Sequence, residues 1–325
     1  MKKNKDPATR HHWLAWLTGI LVLAAVGIVV ARRGEELRFA DLLKHAHPRW
    51  LLVAAILQVG TYACAAGAWQ RVLARQHIQT SFLKLIPLGL AKLFMDQVVP
   101  SAGLSGTLLV VRALKRRGVP DGVSVSAVVV GLLGFYLAYA LALVTTLVLL
   151  AISGDLSRRM LSLAIVASLL IGAVVLLLFW LMRGRRGPAR DLLMRIPGVK
   201  GFLKTLRDAP RGAIDDKSLL LQTTLLQFSI FVLDAATLGV CLAALGASAS
   251  PTGLFAALVL ASLVATITLI PSGLGTFDAT MLAMLHLAGV STTHAIGAVL
   301  LFRGFTLMLP LLPGLWLAHR EMRAA

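Results

Sequence analysis

Residues 122–153 read GVSVSAVVVGLLGFYLAYALALVTTLVLLAIS and contain no charged side chain. A helix rises 1.5 Å per residue, so this stretch can cross the ~30 Å hydrocarbon core of a bilayer. Comparable apolar runs recur at Trp13–Ala31, Leu51–Gln70, Met160–Met182, Leu219–Gly246, Phe255–Ile270 and Ala295–Ala318. Lipid offers no partner for backbone N–H and C=O groups, and the runs lack the alternation of barrel strands. The pattern therefore predicts membrane-spanning helices.

The composition of the whole chain agrees with this prediction. Of its 325 residues, 58% are hydrophobic and only 14% are charged, whereas soluble domains carry about 25% charged residues. The mean hydropathy is +0.84. We predict an all-α polytopic membrane protein with about six full transmembrane helices plus two re-entrant helical hairpins.

The net charge of +18 raises the alternative of nucleic-acid binding. The basic residues, however, flank the apolar runs, where they set orientation and contact anionic lipid headgroups. Their distribution predicts a multi-pass protein of the cytoplasmic (inner) membrane with both termini in the cytoplasm and no nucleic-acid partner. The predicted parts are a basic tail (1–12), one transmembrane domain (13–318) and a second tail (319–325). Within the domain, residues 183–217 form a basic cytoplasmic elbow with ten basic and four acidic residues.

Two segments interrupt the apolar pattern. Phe82–Leu114 breaks at PSAGLSG (100–106), and Thr252–Gly289 breaks at PSGLGTFD (271–278). The flanking charges place the first segment on the cytoplasmic side and the second on the outer side. Matched, interrupted segments of opposite orientation are typical of inverted-repeat transporters with a binding site near the midplane. Two complete crossings per segment would give the same topology, and a chance match of turn residues is the other alternative.

The candidate binding residues are the small residues of these breaks and the charges within apolar runs. Exposed turn N–H groups and helix N-termini favour an anion such as a headgroup phosphate, while intramembrane charges are costly and often functional. The alternatives are close helix packing at the glycines and a structural ion pair of Arg303 with Asp278 or Asp234. The predicted substrate-binding residues are Asp96, Gln97, Pro100, Ser101, Gly103, Arg112, Asp234, Pro271, Ser272, Gly273, Gly275, Asp278 and Arg303.

Two groups of motifs resemble the signatures of a known family. The first comprises Gln97-Val98-Val99-Pro100, Arg112 and Gly118-Val119; the second comprises residues 271–279, Gly289-Val290, Arg303 and Pro310-x-x-Pro313-Gly314. Over roughly residues 13–318 the chain resembles the lysylphosphatidylglycerol synthase transmembrane region. The resemblance implies a flippase-like membrane protein related to the lipid-translocating part of multiple peptide resistance factors, without their soluble aminoacyl-transferring domain. Ser272 and Asp278 depart from the family's usual Gly and Glu, and Val128–Tyr139 lacks the charges common there.

The leading hypothesis is a translocator of a phospholipid or isoprenoid-linked lipid between leaflets. Its partners would be membrane lipids with an anionic or phosphate-bearing headgroup. The alternatives are a lipid-binding accessory subunit for a separate membrane-associated transferase and a membrane-embedded transferase. We expect no enzyme activity, cofactor or metal, since neither a P-loop motif nor an acidic ligand cluster is present.

Overall fold

The computed structural model describes residues 47–98, 104–153, 216–268 and 271–323. The predicted spans Trp13–Ala31 and Met160–Met182, and nearly all of the elbow, lie outside these residues. The described part is helical. Its helices are α1 (Pro48–Arg75), α2 (Phe82–Val98), α3 (Leu104–Arg116), α4 (Asp121–Ser153), α5 (Lys217–Ala244), α6 (Pro251–Thr268), α7 (Thr276–Leu287), α8 (Thr292–Arg303) and α9 (Leu309–Arg323). A 3₁₀ turn (Pro271–Gly273) precedes α7, and a π-helical segment (Gly304–Met308) joins α8 to α9.

Five stretches of the described residues are long and apolar enough to cross a membrane. They are α1, α4, α5, α6 and the continuous segment Thr292–Leu317. Their outer faces carry exposed apolar side chains at helical spacing, such as Leu52, Ile56 and Val59 on α1. A polytopic helical membrane protein is therefore confirmed. Helix α6, the first arm of the second predicted hairpin, is itself long and apolar enough to span.

Both predicted breaks are helical hairpins. In the first, α2 packs against α3; in the second, α6 packs against α7. The second arms α3 and α7 have 13 and 12 residues, which is about 20 Å of helix or less and too short to cross the hydrocarbon core. Thr268 and Thr276 share a hydrogen bond of 3.0 Å between their hydroxyls, which closes the second hairpin next to its turn. The depth of the hairpins in the bilayer remains a prediction.

The described elements form two halves with the same order. Helices α1 to α4 begin at residues 48, 82, 104 and 121, and helices α5 to α8 begin at 217, 251, 276 and 292. Each half thus has a long helix, a hairpin with a short second arm, and a second long segment. The order and spacing support an internal duplication.

The contacts between α1 and α5 show the orientation of this repeat. His47 N–H donates to the Ala244 carbonyl (3.1 Å), Gln58 contacts Asp234 in the middle of both helices, and Arg75 Nε lies 3.2 Å from Asp216 Oδ2. Residue numbers rise along α1 as they fall along α5, so these counterpart helices are antiparallel. The repeat is therefore inverted.

The apolar core lies in two clusters around this central pair. One joins α5 to α8 with the end of α4, and the other joins α2, α3 and α9 with parts of α1 and α4. Buried threonine hydroxyls bond to carbonyls of their own helices, as Thr146 does with the Ala142 carbonyl (2.9 Å). Because lipid cannot solvate such groups, internal bonding makes them tolerable in a spanning helix. Helix α2 also contacts the Pro271–Gly273 turn, which brings the two hairpins together.

Candidate functional site

The first hairpin holds an ion pair at its interior. Lys92 Nζ lies 2.6 Å from Asp96 Oδ2, one helical turn away on α2. The other carboxylate oxygen, Oδ1, accepts the Gly106 N–H of α3 at 2.9 Å. The Asp96 carboxylate therefore pairs with the Lys92 ammonium group. It also holds the second arm of the hairpin by accepting a backbone N–H from the first turn of α3.

The second hairpin turns through left-handed backbone. Ser272 has φ 57°, Gly273 has φ 61° and Gly275, which precedes α7, has φ 82°. The Asp278 Oδ2 atom accepts the Gly275 N–H at 3.0 Å. This carboxylate in the first turn of α7 satisfies a helix N-terminal donor and favourably faces the positive end of the helix dipole.

Arg303, at the end of α8, joins that turn to the rest of the protein. Its Nε lies 2.6 Å from Asp278 Oδ1, and its Nη2 donates to the Gly273 carbonyl at 3.4 Å. The guanidinium also stacks over the Phe277 ring, 4.1 Å from its centroid. Of the two partners that the sequence left open, Asp278 is the one bound.

The third intramembrane carboxylate lies on α5. Asp234 Oδ1 accepts a hydrogen bond of 2.9 Å from Gln58 Nε2 on α1. The same amide nitrogen donates to Thr237 Oγ1 at 3.2 Å. Asp234 thus joins the two antiparallel helices of the inverted repeat at their middle.

These groups surround a cavity of about 410 Å³ between the two halves. This volume is within the ~300–1,000 Å³ range of small-molecule sites in proteins. Aromatic and aliphatic side chains such as Trp69, Phe135 and Phe277 form the rest of the wall. The polar side chains that line it are Gln58, Thr61, Tyr62, Lys92, Asp96, Gln227, Asp234, Ser262, Arg303 and Thr306.

Comparison with known proteins assigns the chain to a family. Residues 16–314 match the model of the lysylphosphatidylglycerol synthase TM region. The chain belongs to this family. A UPF0104 membrane protein from Methanothermobacter thermautotrophicus (strain Delta H) is 24% identical over 302 residues, covering 88% of each protein. The resemblance noted in the sequence is therefore confirmed for nearly the whole chain.

Within this member of the lysylphosphatidylglycerol synthase TM family, the predicted site residues are only partly brought together. Asp96, Asp234 and Arg303 line the cavity, and Asp278 binds Arg303. Arg112 is exposed on α3 and does not line the cavity. Pro100, Ser101, Gly103 and the Gln97 side chain lie outside the described residues. For all of the predicted site residues, the role in substrate binding remains a prediction.

Sequence reasoning missed the uncharged polar residues of the cavity. Gln58 and Gln227 both line it, and each occupies the same position counted from the start of its helix, α1 or α5. An amide in the middle of an apolar run, repeated in both halves, is a signal that could have identified them. Lys92 also lines the cavity and was not among the predicted substrate-binding residues.

The turn of the second hairpin offers a direct test of its geometry. In Gly273→Ala, the new Cβ would lie 2.6 Å from Ala265 Cβ at a left-handed φ. We expect a loss of about 1–2 kcal/mol from the backbone conformation and a further ~1–3 kcal/mol from the overlap. Unfolding of the purified protein in detergent measures the change.

Gly289→Ala is the matched control for this substitution. Gly289 also has a left-handed φ, 85°, but no atom lies within 4 Å of its added Cβ. It should therefore show the backbone cost alone. Equal destabilisation by both variants would contradict the close packing of the turn on α6.

Proposed function

We propose that this protein translocates a phospholipid or isoprenoid-linked lipid between the leaflets of the cytoplasmic membrane. The observation that carries the proposal is the polar cavity between two antiparallel, repeated halves. Lys92 from the first hairpin and Arg303 from the second half both face it. A cavity lined by charges within spanning helices is expected on a substrate pathway, because such charges are otherwise selected against.

The charges of the cavity suit a lipid headgroup that carries a phosphate. Lys92 and Arg303 are cations on opposite halves, and each is held by a carboxylate, Asp96 or Asp278. A phosphate can compete for these cations through charge-assisted hydrogen bonds. When no headgroup is bound, the carboxylates neutralise these cations. This pairing lowers the free-energy cost of keeping the charges inside the protein.

The size and the wall of the cavity favour a headgroup in the protein and acyl chains in the bilayer. Its volume of about 410 Å³ suits a small polar group. Phe135 lines the cavity and is 39% exposed, so this apolar part of the wall is only partly covered by other described side chains. The lipid tails would remain beside this wall while the headgroup crosses.

The inverted repeat supplies a mechanism for exposing the headgroup to either leaflet. Two halves of opposite orientation can exchange conformations by a small rocking motion around a central site. In this protein the antiparallel pair α1 and α5 forms the centre, and both hairpins contribute side chains to the wall of the cavity. Each half would close one side of the cavity in turn, with both chain termini in the cytoplasm.

A leaflet-exchange assay tests the proposal. The purified protein is reconstituted into phosphatidylcholine vesicles with a fluorescent phosphatidylglycerol, phosphatidylethanolamine or isoprenyl phosphate probe, and the accessible fraction of probe is followed with a membrane-impermeant quencher. We expect faster exchange than in protein-free vesicles for at least one headgroup. Probe binding without faster exchange would instead favour the accessory-subunit alternative and contradict translocation.

A further inference from the structure

Asp234 differs from the other two acidic residues of the site in its partners. Asp96 is paired with Lys92 and Asp278 with Arg303. In the described part of the chain, by contrast, no Lys, Arg or His lies within ion-pair distance of Asp234, whose hydrogen-bond donor is the neutral amide of Gln58. Among the charged side chains that the structure places around the cavity, Asp234 is therefore the one without a counter-charge from the described residues.

The surrounding helices do not supply a free cation to it. From α2, Lys92 is held by Asp96, and from α8, Arg303 is held by Asp278. Helix α6 contains no titratable residue. The titratable side chain that faces Asp234 from α1 is Tyr62, which lies near it.

Three tyrosines on α1 and α4, of which Tyr62 lines the cavity, complete this account of the titratable groups. The Tyr62 hydroxyl is buried and has no hydrogen-bond partner among the described residues. On α4, Tyr136 lies near Asp96, and Tyr139 stacks on Phe231. None of these phenols supplies a positive charge, so no side chain of the described residues would compensate the negative charge of an ionised Asp234.

A carboxyl group in a spanning helix without a nearby positive charge can be in one of two protonation states. It is either ionised in contact with water or protonated when water is excluded, because burial disfavours the charged form. A cavity that opens alternately to two aqueous phases would move Asp234 between these conditions. Oδ2 carries no hydrogen bond that the structure records, so it is the oxygen available for the proton.

We propose that Asp234 is a proton-binding site of the cavity, and that it takes up a proton from one aqueous phase and releases it to the other during lipid translocation. The carboxylate gains one proton to become a neutral acid while Gln58 continues to donate to Oδ1; release restores the carboxylate. The proton comes from bulk water, and no other reactant is consumed. The coupling part of the proposal rests on the proposed function, whereas the proton site does not.

Infrared spectroscopy tests the proton site independently of transport. Wild-type protein and Asp234→Asn are compared in phosphatidylcholine vesicles across a titration from acid to alkaline pH. The other carboxyl groups contribute equally to both proteins, so their bands cancel when the two titrations are subtracted. We expect the difference to contain one carboxylic acid carbonyl band that the wild type loses as pH rises and that Asp234→Asn lacks. If the two proteins show the same carboxylic acid bands at every pH, the proton site is refuted.

Asp216→Asn is the matched control for this experiment. Asp216 lies at the first turn of the same helix, outside the cavity, where it accepts the Leu219 N–H at 3.0 Å and pairs with Arg75. Asparagine is also a good N-cap residue, so the helix start should remain intact. We expect the titrating band to be unchanged in Asp216→Asn, and its loss there would overturn the assignment to Asp234.

A pH gradient across the vesicles tests the coupling. We expect the wild type to accumulate the probe lipid several-fold in one leaflet when a gradient is imposed, and Asp234→Asn to show no gradient-dependent accumulation. Exchange by the wild type that ignores the gradient would overturn the coupling and leave the proposed function standing. No exchange by the wild type would remove the proposed function and the coupling together, and the infrared result would then decide the proton site alone.

Discussion

Replacing Arg303 by methionine is expected to destabilise the protein by about 3–5 kcal/mol and to abolish lipid exchange. The substitution leaves the Asp278 carboxylate without its cation and removes the donor to the Gly273 carbonyl. It also removes the cation that stacks on Phe277. Unfolding in detergent measures the stability, and the vesicle assay measures the exchange.

A double-mutant cycle separates the structural role of this pair from its role in binding. In Arg303→Met/Asp278→Asn neither member is charged, and the asparagine oxygen can still accept the Gly275 N–H that caps α7. We expect the double variant to regain most of the stability lost in Arg303→Met, because no uncompensated charge remains. Lipid exchange should stay abolished, since the cation that faces the headgroup is absent. Recovery of exchange together with stability would show that the pair only holds the helices in place.

The pair between Arg75 and Asp216 is the control for this cycle. It also joins two helices, but the Arg75 side chain is 50% exposed. The pair lies where α1 ends and α5 begins. Exposed pairs contribute about 0–1 kcal/mol. Arg75→Met should therefore change stability by no more than this and leave lipid exchange at the wild-type rate.

Replacing Gly106 by alanine is expected to disrupt the first hairpin. The new Cβ would lie 2.5 Å from Asp96 Oδ1 and 2.6 Å from the Lys92 carbonyl oxygen, both on α2. Since backbone and a charge-paired carboxylate cannot move freely, the two arms must separate, at a cost of about 1–3 kcal/mol. Their separation would also break the hydrogen bond from the Gly106 N–H to Asp96. We expect reduced stability in detergent and a large loss of lipid exchange.

Gly89→Ala tests whether any added methyl group in this hairpin has the same effect. Gly89 lies on α2, and its added Cβ would meet only the Tyr62 carbonyl oxygen, at 4.0 Å. Alanine is more favourable than glycine inside a helix by up to about 1 kcal/mol. Gly89→Ala should therefore be as stable as the wild type or slightly more stable. If Gly106→Ala were equally stable, the close approach of the two arms would be contradicted.

The sequence predicted the spans well because a bilayer imposes a length and an apolar composition on each helix. The predicted run Gly122–Ser153 differs by one residue from α4, and the predicted run Phe255–Ile270 lies close to α6 (Pro251–Thr268). The breaks at Pro100 and Pro271 were recognisable because proline and glycine interrupt the apolar pattern. Whether α6 crosses the bilayer could not be decided in this way, because its length allows both a span and a hairpin arm.

The contacts of the site were less predictable, because the sequence of an apolar span does not indicate which face of the helix packs against its neighbours. The hydrogen bond between Gln58 and Asp234 joins residues in different halves, and no local pattern indicates which faces of α1 and α5 meet. The proximity of Lys92 to Asp96 could be predicted, because residues four positions apart on a helix lie on the same face. The choice of Asp278 over Asp234 as the partner of Arg303 depended on the tertiary structure alone.

The accessibility of Ser262 tests the central claim most directly, namely that the cavity between the halves opens to both sides of the membrane. Ser262→Cys places a thiol on the cavity wall, in a background where Cys64 and Cys241, the two cysteines of the chain, are alanine. Val144 is 51% exposed on the apolar outer surface of α4, and Val144→Cys serves as the control that should resist water-soluble reagents. A membrane-impermeant thiol reagent is added to either side of oriented vesicles. Labelling of Ser262→Cys from both sides is the predicted result, and labelling from one side only, or from neither, would contradict alternating access.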